Sequence, residues 1–129
     1  MQFAETDAAG MVHFSVFFRY MEEAEHAVWR AAGMDIFASR ETHSWPRIAA
    51  QFDFKQPLNF QDEFEVRTEI AAVTRSTIRW AHLLVRGDAT IGSGTVTAVY
   101  VRKLPGGGMK STEIPAELMA KLQSVLRED

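Results

Sequence analysis

Residues 5–22 read Glu5-Thr6-Asp7-Ala8-Ala9-Gly10-Met11-Val12-His13-Phe14-Ser15-Val16-Phe17-Phe18-Arg19-Tyr20-Met21-Glu22. An acid thus stands one short loop ahead of an aromatic-rich run with helical spacing. Acyl transfer needs two things at a carbonyl: a nucleophile or base beside the carbon, and hydrogen-bond donors where negative charge develops on the oxygen. Asp7 can supply the first. A helix beginning near His13 or Phe14 can supply the second through free backbone N–H groups and the positive end of its dipole. Gly10 lets the intervening loop take φ > 0 and lets a substrate approach the backbone. His13 has three readings: it polarises the carbonyl, orients water or caps the helix. The bland alternative for Asp7 is a turn or N-cap aspartate bonding nearby N–H groups.

The elements that must position these residues follow from periodicity. Phe14, Phe17, Phe18, Met21, Val28, Trp29 and Ala32 recur at three and four residues, which predicts a helix from Phe14 to Gly33 with Gly33 as its C-cap. Glu25 falls inside the apolar stripe, between Met21 and Trp29, and Glu22 at its edge. Alternation then predicts strands over Ile48 to Phe54 and Phe64 to Ile70, and two more over Thr77 to Arg86 and Thr90 to Arg102 around a Gly87-Asp88 hairpin. Pro105-Gly106-Gly107-Gly108 reads as a flexible break, and Pro115 opens a short amphipathic helix. Met1 to Ala4 has the character of a truncated first strand. The order predicts an α+β domain in which a sheet wraps an early helix; a cystatin-like cone packs the same elements differently, and periodicity does not separate the two.

Composition bounds the function. With 129 residues, 47% hydrophobic, the chain suits one domain, 1–129, with one core. A net charge of −3 with both signs interspersed offers no broad basic face for nucleic acid. The absence of cysteine excludes disulfides, thiolate catalysis and thiolate-bound zinc. No apolar run approaches a membrane span and no basic-then-apolar leader opens the chain, so a soluble, cytoplasmic protein is expected. His43 and His82 read as a loop and a sheet residue, and no two histidines have ligand spacing with an acid, so no metal is expected.

The segment from Glu5 to Glu22 resembles the active-site stretch of the 4-hydroxybenzoyl-CoA thioesterase family: Asp, two small residues, Gly, a hydrophobic pair, then aromatic or His residues opening a long helix. Trp45-Pro46-Arg47 entering a strand, Phe54 to Pro57 closing it, and Val73-Thr74-Arg75-Ser76 extend the likeness over nearly the whole chain. The resemblance implies a hotdog fold, a five-stranded antiparallel sheet wrapped around one long central helix, with the short C-terminal helix added. It implies hydrolysis of an acyl- or aroyl-CoA thioester by a homodimer or tetramer, with no cofactor, coenzyme A being part of the substrate. Asp7 is then nucleophile or general base. In the family the carbonyl donor lies seven residues after the acid, which is Phe14 here, while other members carry Tyr or Phe in place of His13. Glu22 matches a glutamate that is structural in such enzymes; a second hotdog branch places its catalytic carboxylate on the helix, so Glu22 and Glu25 carry that alternative. Their bland role is at a dimer interface or in a pair with Arg47 or Arg79.

Coenzyme A has phosphates to anchor, and the candidate groups sit at strand ends: Thr74, Arg75 and Ser76 in a hairpin, and Arg102 and Lys103 where the last strand stops. Phe17 and Trp45 are candidates to line an acyl pocket, and otherwise belong to the core. Two other functions fit the same elements. One is a non-catalytic hotdog or cystatin-like module that binds a ligand or assembles with a partner. The other is a hydratase, which in its family uses a His-Phe-Pro type motif; here His13-Phe14 is followed by Ser15.

Overall fold

The computed structural model describes residues 13–35, 41–59 and 61–127. The amphipathic helix forms as α1, Val16–Ala31, and buries Phe17, Tyr20, Met21, Glu25, Val28 and Trp29. It starts later than Phe14, because Val16 and Phe17 donate to the carbonyls of His13 and Phe14 three residues back, a tight turn ahead of the regular helix. The long central helix expected is therefore 16 residues. Its end is as the sequence predicts. Gly33 takes φ +74°, its N–H reaches Arg30 O, and Met34 N–H reaches Trp29 O. These are the two bonds of a Schellman motif, whose left-handed position favours a residue without Cβ.

The strands are β1 His43–Ser44, β2 Arg47–Phe54, β3 Glu65–Val73, β4 Thr77–Arg86, β5 Ala89–Val99, β6 Val101–Lys103 and β7 Met109–Ser111, followed by helix α2, Ala116–Arg127. The described residues form two antiparallel sheets, β2-β5-β4-β3 and β1-β6-β7, rather than the single five-stranded sheet expected. The reason lies at Tyr100, where the predicted run from Thr90 to Arg102 breaks. Tyr100 donates to Ser76 O and accepts from Thr112 N–H, and beyond it the chain pairs with β1 and β7 instead of β4. The glycine run is likewise no flexible break: Leu104 and Gly108 close a hairpin between β6 and β7, with Gly107 and Gly108 both at positive φ. Gly87-Asp88 makes the two-residue hairpin foreseen, with Gly87 at φ +60°. The strand expected at Met1 to Ala4 lies outside the described residues.

One face of the four-stranded sheet packs on α1. Phe52 and Phe54 oppose Gly94 and Gly92 across β2 and β5. A Cβ on Gly94 would lie 2.6 Å from Met21 Sδ and 2.7 Å from Gln51 O, so this glycine is what lets the helix and the Phe52 ring close on the sheet. Phe17, Tyr20, Leu58, Leu84 and Ile91 form the core under the N-terminal half of α1; Val28, Trp29, Ile78, Trp80, Ile114 and Leu122 form it under the C-terminal half, where α2 joins.

His82 sits in this core, 3% exposed. Its Nδ1 lies 2.9 Å from Thr68 Oγ1, and its Nε2 has no partner among the described residues. Burial pushes its pKa down from 6.5 to about 4. As pH falls through that interval the unfolded chain takes up a proton that the folded chain refuses, so stability present above the upper value is progressively lost, by about 3 kcal/mol, and levels off below the lower one. Urea midpoints across this range should show that decline. His82→Gln should flatten it, and an unchanged slope in the variant would assign the decline to other groups.

Candidate active site

Asp7 and Gly10 lie outside the described residues. His13 and Phe14 lead into α1 with their side chains exposed, their rings 4.6 Å apart. Of the amides at 14–17, those of Ser15, Val16 and Phe17 are engaged, by His13 Nδ1, His13 O and Phe14 O respectively. The Phe14 N–H has no acceptor among the described residues. The donors expected from the first helical residues are thus occupied one turn in, and the open one is the amide just before them. No acidic side chain stands in the first turn of α1 to cancel the positive end of the helix dipole.

Phe17 is 3% exposed and packs against Phe52 and Phe54. It is a core residue beneath this helix end, while Phe54, half-exposed beside it, and Phe14 present aromatic surface there. Trp45 lies at the other end, its ring 5.6 Å from Trp29 and 4.6 Å from Tyr100. The structure therefore does not bring Phe17 and Trp45 into one pocket within a chain.

The candidate phosphate anchors also gather at that other end. Thr74, Arg75 and Ser76 form the turn between β3 and β4, where the Thr74 hydroxyl accepts from Thr77 N–H. Arg75 O accepts from Ile114 N–H and Ser76 O from Tyr100 N–H, which ties the turn beside Arg102 and Lys103 on β6. Gly92 opposes Phe54 at one end of β5, and Val99 opposes Thr77 at the other. At the rise of a strand those ends are on the order of 20 Å apart. One chain thus holds its helix start and its cluster of basic strand ends at opposite ends of the sheet.

Glu25 occupies the place in the apolar stripe that its spacing indicates and is 2% exposed. Arg47 Nη2 donates to its Oε2 at 2.7 Å and Trp29 Nε1 at 3.3 Å. Of the two arginines foreseen as partners, Arg47 makes the contact; Arg79 opposes Thr97 on the outer face of the sheet. A bulge makes this pairing. Arg47 opposes Ala98 and Ala49 opposes Thr97, so Ile48 is one extra residue, and it turns the Arg47 side chain onto the helix side. Burial raises the Glu25 carboxyl above its usual range, opposed by the Arg47 charge and by hydrogen bonds from Trp29 and Arg47, with Glu22 adding to the rise. This carboxylate is enclosed and engaged through its Oε2, whereas Glu22 is exposed.

Two grooves lie elsewhere. One of about 510 Å³ runs over the outer face of the sheet past Gln51, Asp53, Arg67 and Leu83. The other, about 890 Å³, lies between α1, β3 and α2. Neither is lined by His13 or Phe14. Among the described residues no three acids or histidines cluster to hold a metal, and no helix is long and apolar enough to cross a membrane.

The family model described as Thioesterase-like superfamily matches residues 1–122. A 1,4-dihydroxy-2-naphthoyl-CoA hydrolase of Acaryochloris marina is 30% identical over 135 residues, covering 92% of this chain and 88% of that one. A solved structure of an Aquifex aeolicus protein is 30% identical with a TM-score of 0.85, covering 95% of this chain and 94% of that one. A gentisyl-coenzyme A thioesterase structure is 25% identical with a TM-score of 0.81, covering 92% and 94%. These likenesses separate the hotdog-type packing from the cystatin-like cone.

Proposed function

Since the chain belongs to the thioesterase-like superfamily and is a thioester hydrolase, we propose that it acts in the manner of the 4-hydroxybenzoyl-CoA type, hydrolysing an aroyl- or acyl-CoA ester to the free acid and coenzyme A. Asp7 attacks the thioester carbon or deprotonates the water that does. The observation that carries this reading is the Phe14 amide at the positive end of α1, seven residues after Asp7, a donor with no acceptor among the described residues. Charge that develops on the carbonyl oxygen meets an N–H already in place. An aromatic acyl group fits the exposed Phe14 and Phe54 rings at this end, and two of the three relatives above are named for hydroxylated aromatic acyl-CoA esters.

The enzyme works as a homodimer, or a tetramer of such dimers, through the edge of β2. That strand pairs on one side only among the described residues, and its Ile48 and Phe54 are 60% and 50% exposed. Two copies of β2 paired antiparallel about a twofold axis set the Phe54 end of one beside the Arg47 end of the other. The helix start of one chain then faces the partner subunit's Trp45, Arg75, Arg102 and Lys103, with Thr74 and Ser76 adding hydroxyls and Gly10 leaving room. The separation of these groups within one chain is what a shared site requires.

Thiol release from a panel of aromatic and aliphatic CoA esters tests the reading, alongside mass by light scattering. Hydrolysis by a dimer is expected; a monomer hydrolysing at full rate would exclude the shared site. Arg75→Ala and Arg102→Ala should raise KM about tenfold with little change in kcat, since phosphate contacts remote from the carbonyl are made equally in ground and transition states. Normal KM in both variants would move the anchors elsewhere.

A further inference from the structure

His13 and Ser15 form a local pair that the proposed reaction does not yet use. Ser15 stands at the N-cap of α1 but makes no side-chain cap bond to the helix. Its hydroxyl instead lies 2.8 Å from His13 Nδ1, and its backbone N–H also points at that nitrogen, at 3.3 Å. An amide N–H can only donate. His13 Nδ1 must therefore accept, and a neutral imidazole that accepts at Nδ1 carries its hydrogen on Nε2. The hydroxyl, which can rotate, donates to the same lone pair. The helix cap is given up and the ring's tautomer is set. Nε2 has no partner among the described residues and the ring is exposed.

We infer that Ser15 is a positioning residue that holds His13 as the Nε2–H tautomer, so that His13 is a second donor to the thioester carbonyl oxygen beside the Phe14 amide and not a general base. This rests on the reading above, since it assigns a role within that site. The geometry distinguishes the roles cleanly. A base on Nδ1 would compete with two donors already on it, and a base on Nε2 would need the hydrogen moved to Nδ1, into the Ser15 N–H. As a donor the ring needs no rearrangement: its hydrogen is already on the free nitrogen when charge builds on the substrate oxygen.

Two measurements test this. In protein with nitrogen-15-labelled histidine, long-range proton–nitrogen correlations report which ring nitrogen carries hydrogen, with the His13 signals assigned by their loss in His13→Gln. The expected pattern is hydrogen on Nε2 alone; hydrogen on Nδ1 would overturn the inference whatever the enzyme's activity, and failure of the thioesterase reading leaves this result legible by itself. In kinetics, the Gln amide can place an N–H near Nε2 and the Asn amide near Nδ1, so His13→Gln should retain about tenfold more kcat than His13→Asn, with KM little changed in both. Ser15→Ala should lower kcat several-fold, about three to ten, with Ser15→Thr restoring it and melting temperatures unchanged. Equal kcat for the Gln and Asn variants, or full kcat in Ser15→Ala, would overturn it.

Discussion

Arg47→Leu should lower stability by about 3 kcal/mol at neutral pH, because it leaves the Glu25 carboxylate buried without its charged partner. For a domain of this size that is a fall in melting temperature on the order of 10 °C. The direction with pH follows from Glu25. Its pKa already stands above the ordinary 4.5 because of burial, and loss of Arg47 raises it further. Between the unfolded and folded values the folded chain binds the extra proton, so the variant's stability is present below the unfolded pKa and lost as pH rises through the folded one. The deficit should therefore shrink at acid pH, once the His82 contribution, common to both proteins, is subtracted. Glu25→Leu combined with Arg47→Leu should recover most of the loss, since no charge is then stranded. Thermal melts of the single and double variants beside the parent check this; a single Arg47→Leu variant as stable as the parent would mean the pair is solvated and holds nothing.

Much of the fold was legible because it rests on local rules. The stripe from Phe17 to Trp29, the Gly33 stop and the Gly87-Asp88 hairpin each follow from spacing or from one residue's backbone freedom, and each stands where expected. What was not legible depends on partners distant in the chain. Tyr100 sits inside an unbroken β-prone run, and nothing local says that its amide will turn to Ser76 and its carbonyl to Thr112. Hence one long strand was expected where two sheets divide it. The helix start was misplaced for a related reason: Phe14 fits the apolar period, yet its residues form a tight turn whose bonds run three back instead of four.

The site divides the same way. Glu25 was visible as an acid in an apolar stripe, so a buried pair was foreseeable; choosing Arg47 over Arg79 required the bulge at Ile48, which has no sequence signal of its own. Ser15 falls inside the helix expected from Phe14 and entered only as the residue that departs from a His-Phe-Pro motif; the position of the His13 ring shows what it engages. The strand-end cations were chosen by type and place, but their distance from the helix start is a property of sheet topology.

The most direct test of Asp7 as the attacking or water-activating group is the rate of thiol release from the best CoA ester by Asp7→Asn and the parent at neutral pH, with melting temperature and dimer mass measured on the same samples. The amide keeps the size of the side chain and one acceptor oxygen but lacks the charge needed to attack the carbonyl or take a proton from water. We expect kcat to fall by roughly 10² to 10⁴ while ester binding, fold and assembly are retained. Glu22→Gln and Glu25→Gln should stay within about threefold of the parent in kcat, neither group being asked to touch the reacting atoms. A folded, dimeric Asp7→Asn protein that releases thiol at the parent's rate would contradict the account, and a collapse of kcat in a folded Glu22→Gln instead would place the reacting carboxylate on the helix.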